Sequence, residues 1–190
     1  RAEKFRGILE SANRLRAVMM VHYGKLHNDP EVPRIDSSDN AGVRYGTLDM
    51  QARLSSNMVT FCFTDFLAQF PDVTLLSHNL GGNIAHEVER MDHRALIERP
   101  NEEKPSARIR RAKVMVDCNS LGARSIERAV EVYGADRIVL GTDGTELGMK
   151  WSIDAIAEAR ITEAEKRAIL TDNAAAAIAR VRSGRMAIAA

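Results

Sequence analysis

The chain has 190 residues, of which 45% are hydrophobic and 28% charged, and its formal net charge is +1. This composition is typical of a single globular domain, here 1–190, and the near-neutral charge argues against nucleic acid or an anionic membrane as the main partner. No run approaches the roughly 18 apolar residues of a membrane span. Cys62 and Cys118 lie far apart in apolar runs, which predicts buried free thiols and a cytoplasmic protein.

Hydrophobic periodicity predicts helices and strands that alternate along the chain. Residues 5–12 have helical spacing, and "AVMMVH" (17–22) is a short apolar strand. The polar stretch 23–47 has no periodicity, which is typical of a functional or disordered loop. The elements predicted after it are a helix over 50–70, a strand over 72–78, a turn and helix over 79–98, a strand over 112–120, a helix over 124–134, a strand over 137–143 and a helical tail over 152–181.

The tail carries two local signals. Thr162 and Glu165 have the spacing of a capping box, in which each side chain bonds the backbone amide of the other residue. Asp172-Asn173 predicts a break between two helices.

Apolar strands that are each followed by a helix predict a parallel sheet in an α/β fold. An open doubly wound sheet and a TIM-type (β/α)8 barrel both satisfy this pattern. A complete barrel has about 250 residues, so the four strand-helix units found here would be about half of one.

The predicted strands end in polar side chains. His22 ends the first strand, His78 the second, Asp117-Cys118-Asn119 the third, and Asp143 the fourth, between Gly141 and Gly144. Like Asn119, Asp117 is a candidate to contact the substrate or to support the residues that do. Ligands bind at the carboxyl edge of parallel strands, so these side chains are expected to meet. Two imidazoles and a carboxylate suit zinc, manganese or iron. The sequence therefore favours a metal site and, with it, the barrel.

Four stretches resemble segments of one family, and the first of them, "AVMMVHYG", is similar to the strand that carries a metal-ligand His. "FLAQFPDVTLLSHNLGGNI" is similar to the "rFPdlkvvlaHlGG" segment of the amidohydrolase-related family, the branch of its superfamily that includes aminocarboxymuconate-semialdehyde decarboxylase. "YGADRIVLGTDGTE" resembles that family's "G.drilfGSD.P", and "ITEAEKRAILTDNAAAAI" its last helices. Thr145 replaces the family's proline, and Asn79-Leu80 precede the paired glycines.

The resemblance implies a (β/α)8 barrel with a divalent metal, usually zinc, at its C-terminal mouth. His22 falls on a metal ligand, Asp143 on a ligand that also accepts a proton, and His78 on a residue that contacts the substrate, contacts the metal-bound water or serves as a further ligand. The family's first-strand His-x-His pair has no counterpart and is expected upstream of Arg1. The chain would then be the C-terminal portion of the barrel, with four of its strand-helix units.

These features predict a metal-dependent hydrolase that acts on a small carboxylated or ring-cleavage compound through a metal-activated water, with Asp143 and His78 as catalytic residues. Non-oxidative decarboxylation on the same fold is the alternative. A third hypothesis is a truncated, non-catalytic fragment. Asn119, Arg44 and His27 are the further substrate-binding candidates, alongside His78.

Two expectations concern the backbone. Gly81 and Gly82 would leave space for substrate, and Gly141 and Gly144 would let the backbone pass close to the site. Half a barrel also leaves sheet edges unpaired. We therefore expect the isolated chain to be inactive and poorly folded, or to pair through its edges as a homo-oligomer.

Overall fold

The computed structural model of the protein describes residues 5–24, 40–119 and 121–189. In these residues, four parallel strands form one sheet in the order β1-β2-β3-β4. A doubly wound sheet reverses its strand order at one point, whereas a barrel adds each strand beside the last. The sheet therefore has the topology of a partial TIM-type barrel, as predicted, and not that of the open sheet. The strands are β1 Val18–Val21, β2 Thr74–Ser77, β3 Val114–Asp117 and β4 Ile138–Val139.

Helices connect the strands and follow the last one. Right-handed crossovers that always step in the same direction place the connecting helices on one side of the sheet. Neighbouring helices contact one another along this layer. In chain order they are α1 Arg6–Arg14, α2 Ala41–Val43, α3 Met50–Phe63, α4 Ile84–Glu98, α5 Pro105–Arg111, α6 Ala123–Tyr133, α7 Lys150–Glu158, α8 Glu163–Arg167 and α9 Asn173–Ala189, with π-helical turns at Arg44–Asp49 and Ala168–Asp172.

The two faces of the sheet differ in burial. Side chains alternate between faces along each strand, and the register pairs Met20 with Leu76 and Leu76 with Met115. These three residues define the inner face, where Leu76 and Met115 are half-buried and Met20 is 54% exposed. The alternate positions define the outer face, which is buried under the helices: Leu75, Val114, Val116 and Ile138.

The core lies between the outer face and the helix layer. Each major helix contributes apolar side chains that are almost completely removed from water, which is the dominant favourable term in folding. These side chains include Met58, Ile84, Val88, Ile109, Ile126, Ala129, Ile156 and Ile169. Cys62 and Cys118 also lie in this core as buried free thiols, as predicted.

Several elements differ from their predicted bounds. The helix predicted over 50–70 ends at Phe63, because Thr64 is extended and its hydroxyl accepts a hydrogen bond from the Phe66 amide, which starts a new turn. Part of the predicted loop, 41–47, is helical. The sequence analysis did not predict α5, which begins at Pro105, a residue suited to the first helical position. The prediction for 25–39 lies outside the described residues.

The tail contains the predicted capping box but not the predicted break. The Thr162 hydroxyl accepts from the Glu165 amide, and the Glu165 carboxylate accepts from the Thr162 amide. At Asp172-Asn173 the chain stays helical. The reason is that the Asn173 side chain donates to the carbonyls of Ala135 and Ile138, at 2.7 Å each, instead of to its own helix. No helix in the described ranges has both the length and the apolar composition that crossing a membrane requires.

Candidate active site

Three polar side chains stand in one row across the carboxyl ends of β1, β2 and β3. The register that pairs Val21 with Ser77 and Ser77 with Val116, continued by one residue, places His22 beside His78 and His78 beside Asp117. The amide of His78 donates to the Val21 carbonyl and so extends the ladder. By the alternation of side chains, all three belong to the inner face, directly beyond Met20, Leu76 and Met115.

The members of this row contact one another. The rings of His22 and His78 lie 4.4 Å apart between centroids, with their planes tilted by 31°. His78 Nδ1 lies 3.0 Å from Asp117 Oδ2. His78 and Asp117 are buried, whereas His22 on the edge strand is exposed. We call His22, His78 and Asp117 the tip row.

Asp117 accepts hydrogen bonds from three donors. Its Oδ2 faces His78 Nδ1, and its Oδ1 accepts from the backbone amides of Asn79 and Asn119, at 3.1 Å each. A buried carboxylate is costly unless such donors surround it. The Asp117 carboxylate therefore connects the loops that follow β2 and β3 to His78 through hydrogen bonds.

Asn119, predicted to bind substrate, lies against His78. Its side-chain amide nitrogen is 3.4 Å from His78 Nε2 and donates to Asn79 Oδ1 at 3.2 Å. Its Oδ1 is buried and has no hydrogen-bond partner within the described residues. A ligand donor could satisfy this oxygen, but the role of Asn119 stays a prediction.

The turn after His78 has an unusual backbone. Asn79, Leu80, Gly81 and Gly82 all have φ between 50° and 79°, a region that L side chains avoid. A Cβ at Gly82 would lie 2.2 Å from the Gln51 carbonyl oxygen, and one at Gly81 would lie 2.8 Å from the Met58 side chain. The two glycines therefore allow close packing against α3. The prediction that they leave space for substrate is wrong.

Gly141 allows a close approach of the backbone to the tip row. A Cβ at this position would lie 2.8 Å from Asp117 Cβ. The loop after β4 thus covers the Asp117 side chain, in agreement with the predicted close passage of the backbone beside the site.

Asp143 follows Gly141 in the loop after β4. The strand predicted through 143 ends at Val139, and Asp143 is half-buried with φ of 48°. Its carbonyl accepts from the amides of Glu146 and Leu147. Across the described ranges, no group of three or more His, Cys, Asp or Glu side chains is arranged to hold a metal ion. The structure therefore brings His22 and His78 together and does not join Asp143 to them as a third ligand.

The remaining candidates lie apart from the tip row or outside the description. Arg44 is exposed at the start of the π-helical turn Arg44–Asp49. His27 lies outside the described residues. Cys118 follows Asp117 directly, but burial raises the pKa of its thiol to about 11. Burial likewise raises the pKa of Cys62 to about 12. Neither thiol is an activated nucleophile.

The donor chemistry fits a divalent ion in part. His22 Nδ1 donates to the Tyr23 carbonyl at 2.5 Å, which leaves the lone pair on Nε2. Metal-binding histidines are commonly held in this way. Asp143 offers a carboxylate, the other ligand type that zinc and manganese accept. Two ligands do not complete the coordination of such an ion.

Comparison with known proteins assigns the family. A family model described as amidohydrolase matches residues 1–179. The chain therefore belongs to this amidohydrolase family, as its motifs predicted. No curated protein sequence matches the chain.

Solved structures share the fold. A 2,6-dihydroxybenzoate decarboxylase from Rhizobium has 16% identity and a TM-score of 0.72, over 92% of this chain and 55% of that one. An IDCase from Metarhizium anisopliae, in its apo form, has 20% identity and a TM-score of 0.70, over 94% of this chain and 52% of that one.

A third structure is a dihydroxybenzoic acid decarboxylase from Polaromonas with bound manganese and the inhibitor 2-nitroresorcinol. It has 16% identity and a TM-score of 0.67, over 92% of this chain and 53% of that one. The chain thus spans about half the length of these structures. At such low identities, the likeness shows the fold alone.

Proposed function

We propose that the protein is a divalent-metal-dependent enzyme that acts on a small carboxylated compound by hydrolysis or by non-oxidative decarboxylation. The observation that carries this proposal is the tip row, in which two imidazoles lie side by side and the second of them contacts a buried carboxylate at the carboxyl edge of the sheet. That edge is where barrel enzymes bind their substrates.

His22 and Asp143 would hold the metal ion. The free Nε2 of His22 and the carboxylate of Asp143 are suitable donors, and further ligands would have to come from outside the described residues. Zinc is the first candidate because of these donor types, and the manganese in the Polaromonas relative makes manganese the second. When bound, such an ion polarises a substrate oxygen and lowers the pKa of a coordinated water toward about 7.

The protein's own residues would orient the substrate and move protons. Asp143 accepts a proton from the attacking water in hydrolysis. His78, whose Nδ1 is engaged by Asp117, offers Nε2 to the substrate. In decarboxylation this nitrogen would first take up a proton and then deliver it to the carbon that loses CO2, and in hydrolysis the same protonated nitrogen would donate a hydrogen bond to the developing oxyanion. Asn119, Arg44 and His27 are predicted to bind the substrate carboxylate or its polar substituents.

The two reactions have different support. The family description favours hydrolysis, whereas the names of the Rhizobium and Polaromonas structures favour decarboxylation of a hydroxylated benzoate. The tip row serves both, because each reaction needs a polarised substrate and a proton carrier beside it. A homo-oligomeric state and a cytoplasmic location stay predictions.

Metal content tests the first part of the proposal. Elemental analysis of the purified full-length protein should find a stoichiometric divalent metal in the wild type and a large loss in His22→Ala and Asp143→Asn. The matched control is His86→Ala, an exposed histidine on α4. A metal-free wild type, or unchanged metal in both ligand variants, would contradict the metal site and support the non-catalytic fragment.

A substrate panel tests the reaction. Release of CO2 from hydroxylated benzoates such as 2,6-dihydroxybenzoate would establish decarboxylation, and proton release from esters, amides or lactones that carry a carboxylate would establish hydrolysis. His78→Gln should abolish the activity that is found. Turnover of neither class by the metal-loaded protein would refute the proposal.

A further inference from the structure

We propose that Asp117 is a positioning residue, which fixes the tautomer of His78 so that Nδ1 carries the proton and Nε2 presents its lone pair at the carboxyl edge of the sheet. The inference rests on the proposed function only for its catalytic consequence. The tautomer itself follows from the hydrogen bonds around the ring.

Two independent neighbours require the same tautomer. On one side, Asp117 Oδ2 lies 3.0 Å from Nδ1, and an ionised carboxylate can only accept hydrogen bonds. On the other side, the Asn119 amide nitrogen lies 3.4 Å from Nε2, and an NH2 group can only donate. A proton on Nε2 would face this donor. A proton on Nδ1 satisfies both contacts, so the neutral ring carries its lone pair on Nε2.

The alternative orientation of the Asn119 amide is disfavoured. The Asn119 nitrogen also donates to Asn79 Oδ1 at 3.2 Å, and the Asn79 nitrogen points at the Met50 sulfur. Exchange of the Asn119 oxygen and nitrogen alone would bring two amide oxygens together, and exchange in both residues would turn the Asn79 oxygen toward the Met50 sulfur, which has no proton to donate. The hydrogen bond to Asn79 therefore fixes the orientation of the Asn119 amide that faces His78 Nε2.

Burial prevents water from replacing these contacts. His78 is 5% exposed and Asp117 is 3% exposed. The Gly141 backbone covers the carboxylate so closely that a Cβ there would lie 2.9 Å from Oδ1. In a water-accessible site, solvent could bond either ring nitrogen and the tautomer would be free to change. In this buried site, the Asp117 carboxylate fixes the tautomer of His78.

The two oxygens of Asp117 have different tasks. Oδ1 accepts from the two loop amides, whereas the hydrogen bond to His78 involves Oδ2. Asp117→Asn can keep an oxygen at Oδ1 and replace Oδ2 with an NH2 group, which donates to Nδ1 and moves the proton to Nε2. This substitution therefore separates the structural contacts from the positioning contact.

Nitrogen NMR of the imidazole rings tests the tautomer directly in the full, metal-free chain. We expect a pyrrole-type signal at His78 Nδ1 and a pyridine-type signal at Nε2, with the two types exchanged in Asp117→Asn. His78→Gln assigns the signals. His86 and His93, which lie elsewhere on α4, should not change, nor should any ring in the control Asp136→Asn, whose carboxylate pairs with Arg137.

A wild-type His78 with its proton on Nε2 overturns the inference, even if no variant folds. An unchanged tautomer in folded Asp117→Asn overturns it as well. These results need no turnover, so they are independent of the proposed function.

Activity adds a second measurement. If the protein turns over a substrate, Asp117→Asn should lower kcat about 100-fold or more, the range lost when general acid-base catalysis fails, with little change in KM. A lower melting temperature with unchanged kcat would mean a purely structural role and would refute the positioning role. The predicted tautomer in a protein without activity would leave Asp117 assigned and refute the proposed function instead.

Discussion

The outer and inner faces of the sheet are built from the same four strands but contact different surroundings. On the outer face, Leu75 is 3% exposed and packs under the helix layer, whereas on the inner face Met20 is 54% exposed. The tip row continues the inner face alone. The comparison indicates that the outer face supplies the stability of the described unit and that the inner face carries the candidate site.

The difference also explains where polar groups lie. On the outer face, buried Ser77 has a hydroxyl without a hydrogen-bond partner within the described residues. On the inner face, Asp117 has three donors around it. A buried carboxylate without these donors would cost several kcal/mol. The three donors therefore allow the Asp117 carboxylate to lie buried at the carboxyl edge of the inner face.

The largest expected effect is on the outer face. Leu75→Ala in the 190-residue chain should lower the free energy of unfolding by about 2–5 kcal/mol, because it removes a buried side chain and leaves a cavity. Met20→Ala, in the adjacent strand on the inner face, should change it by about 0.5 kcal/mol or less. Urea unfolding measures both. An equal cost at Met20 would mean that something beyond the described residues covers the inner face, and the comparison would fail.

A smaller effect is expected where β4 meets the tip row. Gly141→Ala should lower the free energy of unfolding by about 1–3 kcal/mol, since the new Cβ overlaps the Asp117 side chain. The matched control is Gly7→Ala in α1, where a Cβ meets nothing within 4 Å. Alanine there should stabilise the chain by about 0.5–1 kcal/mol, because glycine is a poor helix former.

The NMR signals of the His78 ring give a second measurement that compares Gly141→Ala with Gly7→Ala. Gly141→Ala should shift the His78 ring resonances, whereas Gly7→Ala should leave them in place. A neutral Gly141→Ala variant with unchanged His78 resonances would show that the β4 loop does not rest on the tip row.

Part of the site could be predicted from sequence because it depends on local rules. His22 and His78 end apolar strands, and parallel strands place their carboxyl ends at one edge. Their proximity, 4.4 Å between ring centroids, follows from these rules once the strands are neighbours. The capping box at Thr162 and Glu165 was equally local, since both partners lie within one helical turn.

The partner of His78 could not be predicted in this way. Asp117 contacts His78 because Ser77 pairs with Val116, and this register joins two strands that are distant in the sequence. A shift by one residue would have turned Asp117 to the other face. The available signal was the position of Asp117 at the end of its strand, which indicated an edge location but not a partner.

The turn after β2 and the end of β4 show a second limit. The glycine pair predicted a special backbone at 81 and 82, but the neighbours that require it, Met58 and Gln51, come from α3. The strand predicted to carry Asp143 ends at Val139, so the placement of Asp143 depends on loop geometry. The sequence therefore predicted residue types near the edge better than their contacts.

The smallest expected effect lies in the helix layer, far along the chain from the tip row. Thr162→Ala should lower the free energy of unfolding by about 1 kcal/mol, because the capping box loses the hydroxyl that accepts from the Glu165 amide. The control is Thr171→Ala, an exposed hydroxyl that bonds a carbonyl inside its own helix and should change stability by about 0.5 kcal/mol or less. Urea unfolding and the His78 ring signals are measured on the same samples. A loss of stability without any change at His78 is the result expected if the helix layer supports the fold and the inner face alone sets the chemistry, whereas a shifted His78 signal in Thr162→Ala would show that the two faces are coupled.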